Sequence, residues 1–352
     1  MENSPALMRD LTEQLHRRQD LDARQLREAV AALLEPGDEA GKGEFLTALR
    51  AKGETAEEIA GFANELLARA VDPGIDPASL AGPMMDVCGT GGDRMELFNV
   101  STTAMFLLAA GGAVVVKHGN RGITSKSGGA DVLEAVGVRI EHPPALLREC
   151  VRKTGIGFIF APAYHPSFRV IGAVRKALAE RGIATIFNLL GPLLNPARPP
   201  WQLAGVFSEA LLSKYAGVLG LLGRRRAWAV HGSHANGGGV DEFSTLGVNH
   251  YCAVEDGAVS AHRVDPAALG FAEASVEELR GGDREENGRI LTGVLAGQIH
   301  GPKRDVVILN AAAGFVVCGL ARDLAEGIAR AREQLDSGRA LAKLKALQAF
   351  QP

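Results

Sequence analysis

The stretch "MDVCGTGGDRMELFNVSTTAMFLLAAGG" runs an apolar, strand-like lead into a turn of Gly89, Thr90, Gly91, Gly92 and Asp93. Asn99, Val100, Ser101 and Thr102 then open a helix-length apolar run. Glycines in a strand-to-helix turn let main-chain N–H groups approach phosphate oxygens without a Cβ in the way. The helix start that follows sets amide and hydroxyl groups beside a positive end. The spacing is neither a G-x-G-x-x-G dinucleotide fingerprint nor a Walker loop, because no Gly-Lys-Ser/Thr follows. Taken alone, the turn reads equally well as a tight turn with a helix cap.

A second connection of the same kind follows in "KHGNRGITSKSGGADVLEAVGV". Lys117, His118, Asn120 and Arg121 come after another strand-like run, and Thr124, Ser125, Ser127, Gly128 and Gly129 lead into another helix. Two such connections beyond the carboxyl ends of strands point to a multiply phosphorylated ligand. In "GVDEFSTLG", Asp241 and Glu242 are adjacent. Neighbouring acids are most often solvated surface, but beside phosphates they suit Mg²⁺, which keeps several waters and uses one or two carboxylates. Finally, "APAYHPSFRVIGAVRKALAERGIATIFNLLGPLLNP" sets His165 and Arg175 about three turns apart on an expected helix, hence on one face. Arg175 is either a surface arginine or a two-pronged partner for a carboxylate.

The elements that must position these residues divide in two. Residues 1–72 read as helices, with Asp22 and Gln25 as one capping box, Thr55 and Glu58 as another, and Gly53 as a helix stop. After a Pro- and Gly-bearing linker, "MMDVCG", "AVVVKHG", "GFIFAP", "LAGVFS" and "AWAVHG" alternate with helical patterns. That alternation predicts an α/β domain with a mostly parallel central sheet over 80–165 and 200–352. The helical stretch near 166–196 is expected to return to the N-terminal helices. Apolar runs at 100–116 and 306–321 are broken by Gly111-Gly112 and by Asn310, so they read as buried core rather than membrane spans.

Across the 352 residues, 38 Lys and Arg against 41 Asp and Glu leave a formal charge of -3. With no basic stripe, this balance argues against nucleic acid as a partner and against acidic membranes. The four cysteines are scattered with neither metal spacing nor a disulfide framework, and the N-terminus is polar, so a reducing cytoplasm is expected.

Taken in order, "GTGGD", "FNVST", "KHGNR", "SGGADVLEAVGV", "TIFNLLGPLLNP" and "VDEFS" closely resemble the motifs of the anthranilate phosphoribosyltransferases. These enzymes of tryptophan biosynthesis belong to the nucleoside phosphorylase-like phosphoribosyltransferases. The resemblance spans nearly the whole chain and implies a small helical domain hinged to a larger α/β domain, in a homodimer formed through the helical domain. It implies that Gly89, Thr90, Gly91, Gly92, Asp93, Asn99, Val100, Ser101, Thr102, Lys117 and Ser125 bind phosphoribosyl pyrophosphate. Ser101, Asp241 and Glu242 would serve Mg²⁺, and Lys117 would stabilise charge. Gly89, His118, Asn120, His165, Arg175 and Pro192 would face anthranilate. An aromatic amine is nucleophilic when neutral, so no general base is nominated.

Four positions depart from that pattern. Arg94 replaces a glycine, Leu97 a threonine, Gly129 a serine and Ala184 an arginine. The extended "HGSHANGGGVDE" segment is expected to put Asp241 and Glu242 on a longer, more mobile arm, with His231 and His234 as loop histidines. These departures keep two other readings open: a related transferase or phosphorylase with a different acceptor, and a non-catalytic nucleic-acid-binding relative.

Overall fold

The computed structural model describes residues 4–93, 95–122, 126–234 and 238–350. Four helices open the chain: α1 (Ser4–His16), α2 (Ala23–Leu34), α3 (Glu39–Lys52) and α4 (Ala56–Leu67). Both capping boxes form, Asp22 with Gln25 and Thr55 with Glu58, and Gly53 ends α3 at φ 89°. Each cap satisfies main-chain groups that a helix end leaves open.

The larger domain begins with β1 (Met84–Gly89), α5 (Val100–Ala110), β2 (Val114–Gly119), α6 (Gly129–Ala135), α7 (Pro144–Thr154) and β3 (Ile156–Phe160). The chain then leaves the sheet through α8 (Ala161–Tyr164), α9 (Phe168–Glu180) and α10 (Phe187–Leu190). Ile171, Val174, Leu178 and Ile186 from this excursion pack in one core with Leu26, Phe45, Leu49 and Phe62 of the N-terminal helices. His165 is not on the helix that carries Arg175, as α9 starts at Phe168. Pro166 is the cause, since the residue before a proline is pushed out of the helical region.

The sheet resumes with β4 (Trp201–Gly205), α11 (Leu212–Leu221), β5 (Arg226–Ser233) and the short β6 (Gly239–Val240). A hairpin of β7 (Asn249–Glu255) and β8 (Ala258–Val264) follows, then α12 (Val276–Leu279), α13 (Arg284–Leu295), α14 (Pro302–Val317), α15 (Leu324–Asp336) and α16 (Arg339–Ala349). Strand order is β3-β2-β1-β4-β5-β7-β8, with β6 on β5. The first five strands in that order are parallel, and β6, β7 and β8 join antiparallel.

The hairpin is absent from the alternation read off the sequence. Its signal was Asp256-Gly257, which takes left-handed φ values of 46° and 86° at the turn. One face of the sheet is covered by α5 and α13 to α16, and Val306 through Val317 of α14 are all buried. Ala204, Ala227, Ala229 and Cys252 line the other face and merge with α11 and the helical domain. Among the described residues no helix is long and apolar enough to cross a membrane.

Chain order reverses at β1, which lies between β2 and β4. In open α/β sheets the crevice beyond such a reversal is where ligands bind. The glycine turn leaves β1 at that place.

Candidate functional site

Gly89 ends β1 in register with Gly205 of β4. A Cβ on Gly89 would overlap the Asp241 carboxylate, and one on Gly205 would overlap the Asp241 carbonyl. Both glycines let the chain at Asp241 cross the strand ends in direct contact with backbone. Asp241 directly follows β6, which pairs Val240 with Gly232 and Gly239 with Ser233. The acids are therefore anchored to the carboxyl end of β5, inside the sheet, which corrects the expectation of a mobile arm, although residues 235–237 lie outside the described residues. His231 is likewise on β5 rather than in a loop, its Nδ1 2.8 Å from the Val206 carbonyl.

The turn itself is held at several points. Thr90 N–H donates to Gly205 O at 3.0 Å, and its Oγ1 accepts from Phe207 N–H at 3.1 Å. Gly91 and Gly92 take φ values of 67° and 85°, a region that favours glycine. Gly91 N–H donates to Asp241 Oδ2 at 2.6 Å, and Met95 N–H donates to Asp93 Oδ1 at 3.2 Å. Arg94 and Ser125 lie outside the described residues.

At the start of α5, Ser101 N–H donates to Glu242 Oε1 at 3.2 Å. Lys117, only 3% exposed on β2, donates from Nζ to Ser101 Oγ at 3.2 Å and to the Val87 carbonyl. Burial pushes the Asp241 carboxyl well above the ordinary range, and Asp93 and Glu242 push it the same way against the Gly91 N–H. Burial also lifts Glu242 to about 7, opposed by Lys117 and Ser101. Asp241 and Glu242 are thus neighbouring carboxyls whose burial opposes ionisation, a state that a hard cation brought in with phosphates would relieve.

Asn99 stands at the N-cap of α5 but makes no capping bond; its Nδ2 donates to Ser127 O at 3.1 Å. Val100 and Thr102 are buried. A Cβ on Gly129 would come within 3.0 Å of Thr102 Oγ1, so the side chain usual there would be crowded in this chain. Leu97 forms a bridge with Arg280, and Ala184 is exposed.

Successive residues of a strand face opposite sides, and Lys117 and His118 divide accordingly. His118 Nδ1 lies 3.1 Å from Gly191 O, and its ring meets His165 edge-on at 5.3 Å. His165 Nε2 lies 2.8 Å from Leu194 O, and the ring stacks on Phe168 at 5.2 Å. Phe168 meets Phe187 edge-on at 5.9 Å, and the Arg175 guanidinium sits over Phe187 at 4.9 Å. Two aromatic rings thus join His165 to Arg175. His118 Nε2 and His165 Nδ1 are buried with no hydrogen-bond partner among the described residues. Burial, then the neighbouring His165, lowers His118 to about 3, and burial lowers His165 and Arg175 as well.

Pro192 is buried in the turn that these histidines hold, and its carbonyl accepts from Gln202 Nε2 at 2.6 Å. Asn120 is half-buried, with Oδ1 accepting from Arg121 N–H at 2.8 Å. Arg121 turns away to Glu134 at 2.9 Å.

Several polar residues around the site went unread in the sequence. Asp86 is fully buried in β1, accepting from Asn195 Nδ2 at 2.9 Å and from His118 N–H at 3.3 Å. Burial raises its pKa against the pull of Lys117. A charged residue inside "MMDVCG" was the available signal. Arg224, also buried, donates to Gln202 Oε1 at 2.8 Å.

Two family models match the chain: the helical bundle domain of a glycosyl transferase family over residues 9–70 and its a/b domain over 81–341. The anthranilate phosphoribosyltransferase of Anaeromyxobacter sp. (strain K) is 45% identical over 326 residues, 92% of this chain and 93% of that protein. The solved anthranilate phosphoribosyltransferase of Thermus thermophilus superposes with a TM-score of 0.86 at 39% identity, covering 97% of this chain and 99% of that one. The Saccharomyces cerevisiae enzyme, solved in complex with PRPP and Mg, gives a TM-score of 0.85 at 28% identity, covering 98% of each chain. A second structure of that yeast enzyme holds 4-fluoroanthranilate. With identity this high over both domains, the chain belongs to the anthranilate phosphoribosyltransferase family.

Proposed function

We propose that this chain transfers the phosphoribosyl group of phosphoribosyl pyrophosphate to the amine of anthranilate, giving N-(5-phosphoribosyl)anthranilate and pyrophosphate in tryptophan biosynthesis. The observation that carries this reading is the division at the end of β2. Lys117 faces the glycine turn and the acids, whereas the adjacent His118 faces His165, on the side where Arg175 lies. A polyanion suits the first side and an aromatic carboxylate the second.

On the donor side, Gly91, Gly92, Asp93, Asn99, Ser101, Thr102 and Lys117 take the phosphates and ribose. Lys117 Nζ has three N–H groups and, among the described residues, uses two on Ser101 and Val87, so a third is available to a phosphate oxygen. Asp241, Glu242 and Ser101 would hold Mg²⁺. Among the described residues no three His, Cys, Asp or Glu side chains form a metal cage. That fits an ion that completes its shell with water and substrate oxygens. When bound, Mg²⁺ supplies neutralisation of the pyrophosphate charge.

The amine nitrogen forms a bond to C1 of the ribose as the C1–O bond to pyrophosphate breaks. The leaving oxygen keeps the electron pair, and the amine loses a proton to solvent. The protein's part is positioning and charge stabilisation, by Lys117 and the glycine N–H groups. His118 and His165, held neutral, bring no competing charge to the ring. Arg175 takes the carboxylate, and Pro192 and Asn120 border the acceptor.

Pairing with a second copy through the helical domain is part of the proposal, and light scattering that gives the mass of one chain overturns it. The four cysteines, all free and buried, support a reducing cytoplasm. Loss of anthranilate fluorescence with phosphoribosyl pyrophosphate and Mg²⁺ tests the activity, with a control carrying Asp241→Ala and Glu242→Ala. Mg²⁺-dependent loss that the control abolishes supports the reading. No turnover at high donor concentration overturns it.

A further inference from the structure

Asn287, in the first turn of α13, lies in none of the motifs above and is 2% exposed. Its Oδ1 accepts from Gly282 N–H at 2.8 Å, and its Nδ2 donates to Asn99 Oδ1 at 3.0 Å. Asn99 Nδ2 in turn donates to Ser127 O at 3.1 Å. The two ends of this relay are main-chain groups of fixed polarity, a donor at Gly282 and an acceptor at Ser127. Both carboxamides therefore have only one orientation that satisfies the whole chain of bonds.

The backbone reinforces the contact. Gly281 N–H donates to Glu96 O at 2.9 Å, Phe98 N–H donates to Leu279 O at 3.3 Å, and Leu97 bridges Arg280. A Cβ on Gly281 would stand 2.7 Å from Phe98 Cα, so glycine there permits the close approach. The segment 279–287 thus grips the connection after β1 at the point where it meets the connection after β2.

We propose that Asn287 is a positioning residue for the donor. Through Asn99 it sets the register between the two glycine-rich connections, touching no substrate itself. The inference rests on the reading that these connections hold phosphoribosyl pyrophosphate. It explains why Asn99 stands at a helix N-cap without capping: its amide is committed to joining loops.

Asn287→Asp is nearly isosteric and still accepts from Gly282 N–H, but it no longer donates to Asn99. Asn99 must then oppose oxygen to oxygen at position 287, or turn and oppose the Ser127 carbonyl. Calorimetric titration of the full-length protein with phosphoribosyl pyrophosphate and Mg²⁺ reads the result. Donor binding should weaken by about tenfold, the size of one lost neutral hydrogen bond. The KM for anthranilate should not change, and in an Asn99→Ala background Asn287→Asp should have little further effect. A merely structural asparagine would lower thermal stability and leave this split absent. If Asn287→Asp loses its cooperative unfolding transition, Asn287→Ser, too short to reach Asn99, is held to the same outcomes. Unchanged donor affinity, or the same loss in both backgrounds, overturns the inference alone. Wild-type protein that does not bind the donor overturns the functional reading and the inference with it.

Discussion

The carboxylate of Asp241 fills the space that a side chain at position 89 would need, its Cγ lying 2.8 Å from where a Cβ on Gly89 would stand. The first glycine of the turn is there to admit a carboxylate, while Gly91 and Gly92 supply the left-handed backbone. Gly89→Ala should therefore displace Asp241 and raise the Mg²⁺ concentration needed for half-maximal turnover, with activity down about a hundredfold. Overpacking should cost about 1–3 kcal/mol of stability. An unchanged Mg²⁺ midpoint in the variant would refute this relationship.

Lys117 is the buried cation between Asp86 and Glu242, and both carboxyls feel it. Lys117 donates to Val87 and Ser101 and favours the charged form of both carboxyls, so Lys117→Met should destabilise the protein and abolish turnover. Adding Asp86→Asn should recover part of the stability and none of the activity. Urea denaturation and the fluorescence assay check the two halves separately; recovery of activity in the double variant would show that Lys117 acts only as a counter-ion.

His118 holds a pKa of about 3 in the folded protein, lowered by burial, by His165 and by Lys117 against the Gly191 carbonyl. The Asp86 carboxylate accepts from its main-chain N–H. Unfolded, the ring titrates near 6.5. Between those values the unfolded chain binds the extra proton. The neutral ring's contribution is thus complete above about pH 6.5 and is lost progressively toward pH 3, on the order of a few kcal/mol. His165 and His142 are lowered too and add to the same trend. Replacing His118 with Gln should flatten the fall in stability between pH 6.5 and 4. Denaturation midpoints that fall equally steeply in both proteins would contradict this assignment.

The parallel strands and the helix caps were legible because local chemistry decides them: alternating apolar runs, capping boxes and glycine stops. The convergence of Asp241 on Gly89 was not, since it depends on β6 pairing back onto β5 and on Gly205, a residue of no motif. Asn287 was equally silent, because "DREENG" reads as an ordinary helix start and its partner Asn99 lies 188 residues away. Buried Asp86 could have been questioned from its place in an apolar strand. The helical spacing of His165 to Arg175 points to one shared helix, but Pro166 keeps His165 out of α9, which starts at Phe168.

Arg175 sits half-buried over Phe187 with no carboxylate partner among the described residues. Burial alone lowers its pKa, which is the signature of a cation that has lost water and gained no counter-charge. An arriving carboxylate restores that balance with charge-assisted hydrogen bonds of about 1.5–3 kcal/mol. Arg175→Ala should therefore raise the KM for anthranilate by roughly 10- to 100-fold, leaving the donor KM nearly unchanged. Arg175→Lys keeps the charge but not the planar fork, so it should recover only part of the loss. Anthranilamide separates charge from shape, because it matches the ring and amine without the carboxylate. Wild-type protein should prefer the acid strongly, and Arg175→Ala should discriminate far less. Equal preference in the two proteins would remove Arg175 from the acceptor side and leave its burial over Phe187 a packing feature alone.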